Sequence, residues 1–456
     1  MRLRLPDSYI LIFIIIVLLG ISSYFIPSGI FDRYIDAESG ITYVIPDSYR
    51  TIEKTYISVF DIIKAVPEGM MQASNIIIFV LLTGGSFGII NATGTINTTV
   101  NKIVQLYGKK EKRLIPIIMI LFSLAGAVFG TAEEALPLYP IFIGLALALG
   151  FDRITGVALV LLGTGAGFVA GFLNPFTVGI AQEISELPLF SGLGFRIVAY
   201  VVFVATAIIY VYLHASKIKK DDKEPISIYG DSMQTGFDFD RLPTLTNKHI
   251  RVLIVLLSSF AFLTYGIVRL EFFILEISTT FLIMGILSGL VGELKPGRIV
   301  AEFTKGASSL IYGALIIGLA RGVTAIMEYA NIMDTVIYSL SVAIQDFSPR
   351  ISAIGMFVIQ SIINLFVTSG SGQASVTMPI MKSIADIVGV SRQTAVLAFQ
   401  FGDGFSNVIS PTSGYFMAAL ALGGIKWREW AKWMAPLFVI WCVQGCVLLI
   451  ISTYVY

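Results

Sequence analysis

The sequence predicts an all-α polytopic membrane protein with about nine transmembrane helices and two re-entrant hairpins, arranged as two inverted-topology repeats with broken helices. Three observations predict it. The composition is too apolar for a water-exposed body, apolar runs of spanning length recur along the chain, and the two halves repeat each other. Of 456 residues, 56% are hydrophobic and 13% charged, with a mean hydropathy of +0.84. Soluble domains carry roughly 25% charged residues. The 42 glycines suit membrane helices, in which glycine is enriched.

Crossing about 30 Å of hydrocarbon takes about 20 apolar residues. Runs of that kind predict helices near 8–26, 73–91, 154–172, 192–213, 252–268, 276–292, 307–328, 394–413 and 434–454. The first is expected to be a retained helix and not a signal peptide, since the apolar run is long and no A-x-A site precedes Pro27. The stretches 114–149 and 351–388 are broken in the middle by small and polar residues, so each predicts a hairpin. With the N-terminus inside, 21 of the 31 basic residues fall on the cytoplasmic side, nine outside and one, Arg321, within a span. That bias also puts the C-terminus outside. Trp427, Trp430 and Trp433 predict an interfacial helix before the last span. Residues 214–251, holding both histidines, His214 and His249, read as a cytoplasmic linker.

The linker separates two similar halves. At an offset of 237, Ile62, Gly69, Gly85, Thr98, Arg113, Phe129 and Thr131 meet Ile299, Gly306, Gly322, Thr335, Arg350, Phe366 and Thr368. At an offset of 239, nine of the thirty positions 140–169 are identical to their counterparts, among them Gly150, Arg153, Thr155, Gly163 and Gly165. The first hairpin follows a cytoplasmic lysine cluster and the second an outward segment, so the copies are expected to insert with opposite topology, as in secondary transporters. The expected division is 1–56 as first helix and outer loop, 57–213 as repeat one, 214–251 as linker, 252–298 as connecting helices and 299–456 as repeat two.

Other functions find little support. Basic and acidic residues number 31 and 30, so no basic field invites nucleic acid. Neither an HExxH, a Cys/His cluster nor a Walker loop occurs, so no metal site or cofactor is expected. Cys442 and Cys446, at i, i+4 in an apolar helix, read as packing. Asp403 follows Gln400-Phe401-Gly402, which is not the Gly-x-Gly-Asp arrangement of an intramembrane aspartyl protease. A channel shares the polar mid-membrane loops, but paired breaks favour a carrier.

Four interruptions carry the candidate chemistry. The first hairpin tip is Gly130-Thr131-Ala132-Glu133-Glu134-Ala135, and its counterpart is Thr368-Ser369-Gly370-Ser371-Gly372-Gln373. The first broken span carries Gly163-Thr164-Gly165-Ala166-Gly167 and then Asn174-Pro175. The second carries Gly402-Asp403-Gly404-Phe405-Ser406-Asn407 and then Ser410-Pro411-Thr412-Ser413. A helix broken at mid-membrane offers free amides to anions at one end and free carbonyls to cations at the other. Thr131, Glu133, Glu134, Asn174, Ser369, Gly370, Ser371, Gln373, Asn407 and Thr412 are therefore the expected substrate-binding residues. Thr164, Asp403, Ser406 and Ser410 are the expected ion-coupling set, serving sodium or a proton. A charge at the bilayer centre costs about 3 kcal/mol on insertion scales and takes a partner, so Arg321 is expected to pair with one of the three acids. Three acids and one arginine leave a formal charge of −2, which favours a cationic group.

The segments 130–140, 369–375 and 402–411 resemble the YfcC group of the anaerobic four-carbon-dicarboxylate carrier-like family, within the ion transporter superfamily. The resemblance spans nearly the whole chain. It implies a bacterial inner-membrane secondary carrier with two inverted repeats, working as a homodimer by an elevator-like motion. Family naming points to dicarboxylates, and the group's own labels to basic amino-acid or arginine/ornithine antiport. Glu133 and Glu134 weigh against a dianion, so the expected substrate is an amino acid, more sharply a cationic one, carried by alternating access.

Overall fold

The computed structural model describes residues 8–456 except 36–41, 46, 47, 97, 100, 101, 103–110, 221–244, 271, 273 and 345. The clusters expected at 109–110 and 221–223 lie outside the described residues. Helices account for nearly all regular structure. The first half holds α1 (Ser8–Ser22), α2 (Val59–Gln72), α3 (Ser74–Ala92), α4 (Leu114–Phe129), α5 (Tyr139–Ala148), α6 (Arg153–Ala170), α7 (Ile180–Ile184) and α8 (Leu193–Lys220). Then come α9 (Asn247–Arg269) and α10 (Ile274–Val291). The second half holds α11 (Pro296–Ser309), α12 (Ile311–Tyr329), α13 (Met333–Val342), α14 (Pro349–Ile363), α15 (Gly370–Val388), α16 (Arg392–Ser406), α17 (Gly414–Gly423) and α18 (Trp427–Val455). Seven helical stretches among the described residues are long and apolar enough to cross a membrane. Each of the nine expected spans overlaps a helix, but α1, α9 and α16 are not among those seven, and the helix in the span expected at 394–413 stops at Ser406.

Several local expectations are corrected. The glycine-rich runs do not break their helices: α6 continues through Gly163, Gly165 and Gly167, and α16 through Gly402 and Gly404. These glycines let backbones touch. A Cβ on Gly167 would lie 1.8 Å from the Ser123 carbonyl oxygen, and one on Gly126 would lie 2.1 Å from that of Thr164, so α4 and α6 are pressed together. The first break comes later, where Gly171 turns left-handed and Asn174-Pro175 opens a π turn over Pro175–Gly179. The second lies between Ser406 and Gly414.

The tryptophans do not form a separate interfacial helix, because α18 starts at Trp427 and runs unbroken. The indole N–H groups of Trp427 and Trp430 serve the second break. Trp430 donates to the Val408 carbonyl at 2.9 Å and Trp427 to that of Ile409 at 2.8 Å. Breaking a helix frees carbonyls, and a buried unpaired one costs about 1–3 kcal/mol. Trp430→Phe is expected to lower stability by about that amount, read as a lower thermal midpoint in detergent; an unchanged midpoint would deny the indole this role.

The linker is shorter than expected, since α8 carries His214 and α9 carries His249. His214 Nε2 meets Asp152 Oδ2 at 2.9 Å, and Trp433 Nε1 donates to His214 Nδ1 at 3.0 Å. These contacts tie the start of α6 to α8 and α18. The loop after α1 carries short strands: Gly29–Ile30 pairs antiparallel with Arg50–Thr51, and Arg33–Ile35 with Thr42–Val44. It docks on α13 through Phe31 N–H and Arg33, both bound to Asp334. Beyond α7, Lys382 and Arg392 hydrogen-bond Glu186 and hold its carboxyl below the usual range.

Matching elements recur in both halves. At the offset of 237, α2 and α3 begin and end where α11 and α12 do. α2 packs on α12 while α11 packs on α3. The contacts are reciprocal: a Cβ on Gly69 would meet Gly322 N at 2.3 Å, and one on Gly306 would meet the Gly84 carbonyl at 2.3 Å. α4–tip–α5 and α14–tip–α15 follow, each second arm ending on a left-handed glycine, Gly150 or Gly389. Asp152 and Ser391 then cap α6 and α16 through the amides of Thr155 and Thr394.

Candidate functional site

Both hairpin tips and both breaks meet one cavity of about 360 Å³. Its floor comes from residues 129–134 and 368–371, and its sides from Phe176, Thr177, Asn407 and 413–415. The rest of its lining comes from Gln72, Ala73 and Ile76 near the α2–α3 junction, from Phe168, from α10 and its approach, and from Ile317, Ala320 and Arg321 of α12. Of the expected residues, Thr131, Glu133, Glu134, Ser369, Gly370, Ser371, Asn407 and Arg321 line this wall.

The two glutamates differ. Glu134 Oε2 accepts the Ala132 N–H at 3.0 Å and so stiffens its own tip. Glu133 has no side-chain hydrogen-bond partner or ion pair among the described residues and lines the cavity. Ser369 caps α15, accepting the Gly372 N–H at 3.3 Å, which sets the amide end of that helix at the tip. Asn407 donates to Asp403 Oδ1 at 2.8 Å and accepts from Asn364 at 3.0 Å.

Arg321 is a correction. It forms no ion pair with Glu133, Glu134 or Asp403, and no hydrogen bond among the described residues. Asp403 is fully buried and is not on the cavity wall. Its Oδ2 has no partner and points to the tip: a Cβ on Gly370 would sit 2.8 Å from it and 2.5 Å from Thr177 Cγ2. The wall therefore carries two carboxylates and one guanidinium, a formal −1 where −2 was expected.

Other expected residues work behind the wall. Asn174 caps the π turn by accepting from Phe176 and Thr177 amides. Gln373 binds Gln360 across the two hairpin arms, at 2.7 Å to its side chain and 2.9 Å to its carbonyl. Ser410 and Thr412 bond each other at 2.7 Å. Thr164 donates to the Val160 carbonyl in its own helix, and Ser406 to that of Gly402. None of these six lines the cavity. Thr177, Tyr415 and Gln72 do line it and were not anticipated. Thr177 follows Asn174-Pro175 and Tyr415 follows Ser410-Pro411, so proximity to a proline break was the available signal.

A family model described as "DcuC: C4-dicarboxylate anaerobic carrier" matches residues 5–454. The chain belongs to the C4-dicarboxylate anaerobic carrier family. This carrier-family chain is 33% identical over 488 residues to the Escherichia coli (strain K12) protein named "Putative basic amino acid antiporter YfcC", with 98% of this chain and 96% of that one covered. It is 29% identical over 420 residues to an uncharacterized protein of Haemophilus influenzae (strain ATCC 51907 / DSM 11121 / KW20 / Rd), covering 90% and 82%. Among solved structures, Neisseria gonorrhoeae MtrF, titled among antimetabolite efflux pumps, aligns with TM-score 0.46 and 21% identity over 99% of this chain and 96% of that one. The Alcanivorax borkumensis YdaH transporter aligns with TM-score 0.45 and 14% identity, over 98% of each. The C4-dicarboxylate anaerobic carrier family member described here is thus a multi-pass membrane protein, and its family and named relative are transporters rather than enzymes.

Proposed function

We propose that the protein is a secondary active carrier for a cationic amino acid, working by alternating access as an antiporter or ion-coupled symporter. One observation carries the reading: an unpaired guanidinium, Arg321, and an unpaired carboxylate, Glu133, share one cavity with a helix amide end. An α-carboxylate would bind Arg321, the Ser369 hydroxyl and the amides opening α15, all suited to an anion. The basic side group would bind Glu133. A volume of about 360 Å³ is at the small end of ligand pockets, roughly 300–1,000 Å³, and suits a solute of amino-acid size.

The name of the Escherichia coli relative agrees with this reading, while the family description supplies a second one, a four-carbon dicarboxylate. Arg321 suits either. Glu133 and Glu134 separate them, because like charges about 4 Å apart repel by about 4 kcal/mol at an effective dielectric of 20. Coupling by sodium or a proton would use Asp403 Oδ2 beside Thr177. The same proposal takes the repeats as inverted and the unit as a homodimer in a bacterial cytoplasmic membrane, N-terminus inside and C-terminus outside. The reciprocal α2–α12 and α11–α3 packing supports the symmetry.

The test is counterflow in proteoliposomes. Vesicles loaded with arginine are expected to take up labelled arginine, unaffected by excess succinate, and Glu133→Gln to weaken apparent arginine affinity about tenfold or more. Succinate exchange without arginine exchange would replace this reading by the dicarboxylate one.

A further inference from the structure

A second cavity, of about 400 Å³, lies on the other side of Arg321. It is roofed by the outer loop through Gly29, Ile30 and Arg33, and walled by α12, the start of α13 and the tip end of α15. The two cavities share Arg321 and Ser369. They are also joined by a hydrogen bond, since Gln72 of the first donates to Glu328 of the second at 3.2 Å. One guanidinium and one tip serine thus stand in a common partition.

The charges of the second cavity differ from those of the first. Arg33 and Arg321 face Glu328 and Asp334, a balanced set. Arg33 is held at 2.6 Å to Asp334, which also accepts the Phe31 N–H, so the loop, this arginine and α13 form one fixed rim. A balanced pair of charges suits a zwitterion: a carboxylate toward Arg321 and Arg33, an ammonium toward Glu328. A guanidinium has five donors in a planar fork. It can therefore hold a carboxylate on one edge while offering another edge to the next site.

We infer that the second cavity is a binding vestibule for the α-amino and α-carboxylate end of the substrate, and that Arg321 passes the carboxylate from it to the first cavity. This rests on the amino-acid reading above, and on the topology that puts the loop roof outside. Met333 and Val376 line only the second cavity, so filling it at Met333 leaves the first wall untouched.

The test uses the full chain in nanodiscs, with equilibrium dialysis of labelled arginine and counterflow in proteoliposomes. Wild type is expected to bind two arginines per chain and Met333→Trp one. Arg33→Gln is expected to weaken the second site about tenfold or more while leaving the first unchanged, and both variants to slow exchange. If Met333→Trp does not fold, Arg33→Gln decides alone. One arginine per wild-type chain, or two that neither variant disturbs, overturns the vestibule. No arginine bound by wild type overturns the substrate reading beneath it, a distinct result.

Discussion

Arg321→Gln is expected to cut arginine counterflow by about a hundredfold. Arg321 has no ion pair or hydrogen bond among the described residues, so its donors face the two cavities that it divides. A bidentate pair with a substrate carboxylate is a charge-assisted interaction of about 3 kcal/mol, which corresponds to about two decades of affinity. Arg321→Lys keeps the charge and loses the fork, so partial exchange is expected. Because Arg321 makes no hydrogen bond or ion pair among the described residues, the thermal midpoint of Arg321→Gln should match wild type. Wild-type exchange by a folded Arg321→Gln protein would remove this residue from substrate recognition, whichever solute is carried.

The largest structural effect is expected at Gly167. An added methyl would sit 1.8 Å from the Ser123 carbonyl oxygen, which belongs to the backbone of α4 and cannot rotate away. Relief requires moving α4 off α6, and α4 carries the first hairpin tip. Overpacking of this kind costs about 1–3 kcal/mol and sometimes more. Gly167→Ala is therefore expected to lose about 3 kcal/mol, with Gly194→Ala as the control, since nothing lies within 4 Å of a Cβ there. The comparison is made by thermal unfolding in detergent. Equal midpoints would mean that the α4–α6 approach is not needed for stability.

The element pattern was legible because each spanning helix must fill the bilayer with apolar residues, and a run of that length stands out in one dimension. The hairpin tips were legible for the complementary reason, as polar residues within such runs need a protein-lined environment. The glycine runs at 163–167 and 402–404 misled, because glycine serves both helix breaking and close helix contact, and only the facing backbone shows which. Asn174 and Gln373 were read as ligand groups for the same kind of reason. An amide side chain beside a break can bind a solute or restore lost backbone bonds, and here both stay within the fold.

Composition, span lengths and the repeat, all properties of residue order, were enough for the membrane class, the helix order and the two polar tips. Residue order could not say which polar groups share a wall. Arg321 comes from α12 and Glu133 from a tip 188 positions earlier, and they share a cavity through tertiary packing, in which α12 also meets α2 at Gly69 and Gly322. Asp403, one turn from Asn407, is turned behind the tip instead of onto the wall. Such differences come from long-range packing, which sets the direction of each side chain, and a single strand of sequence holds no measure of it.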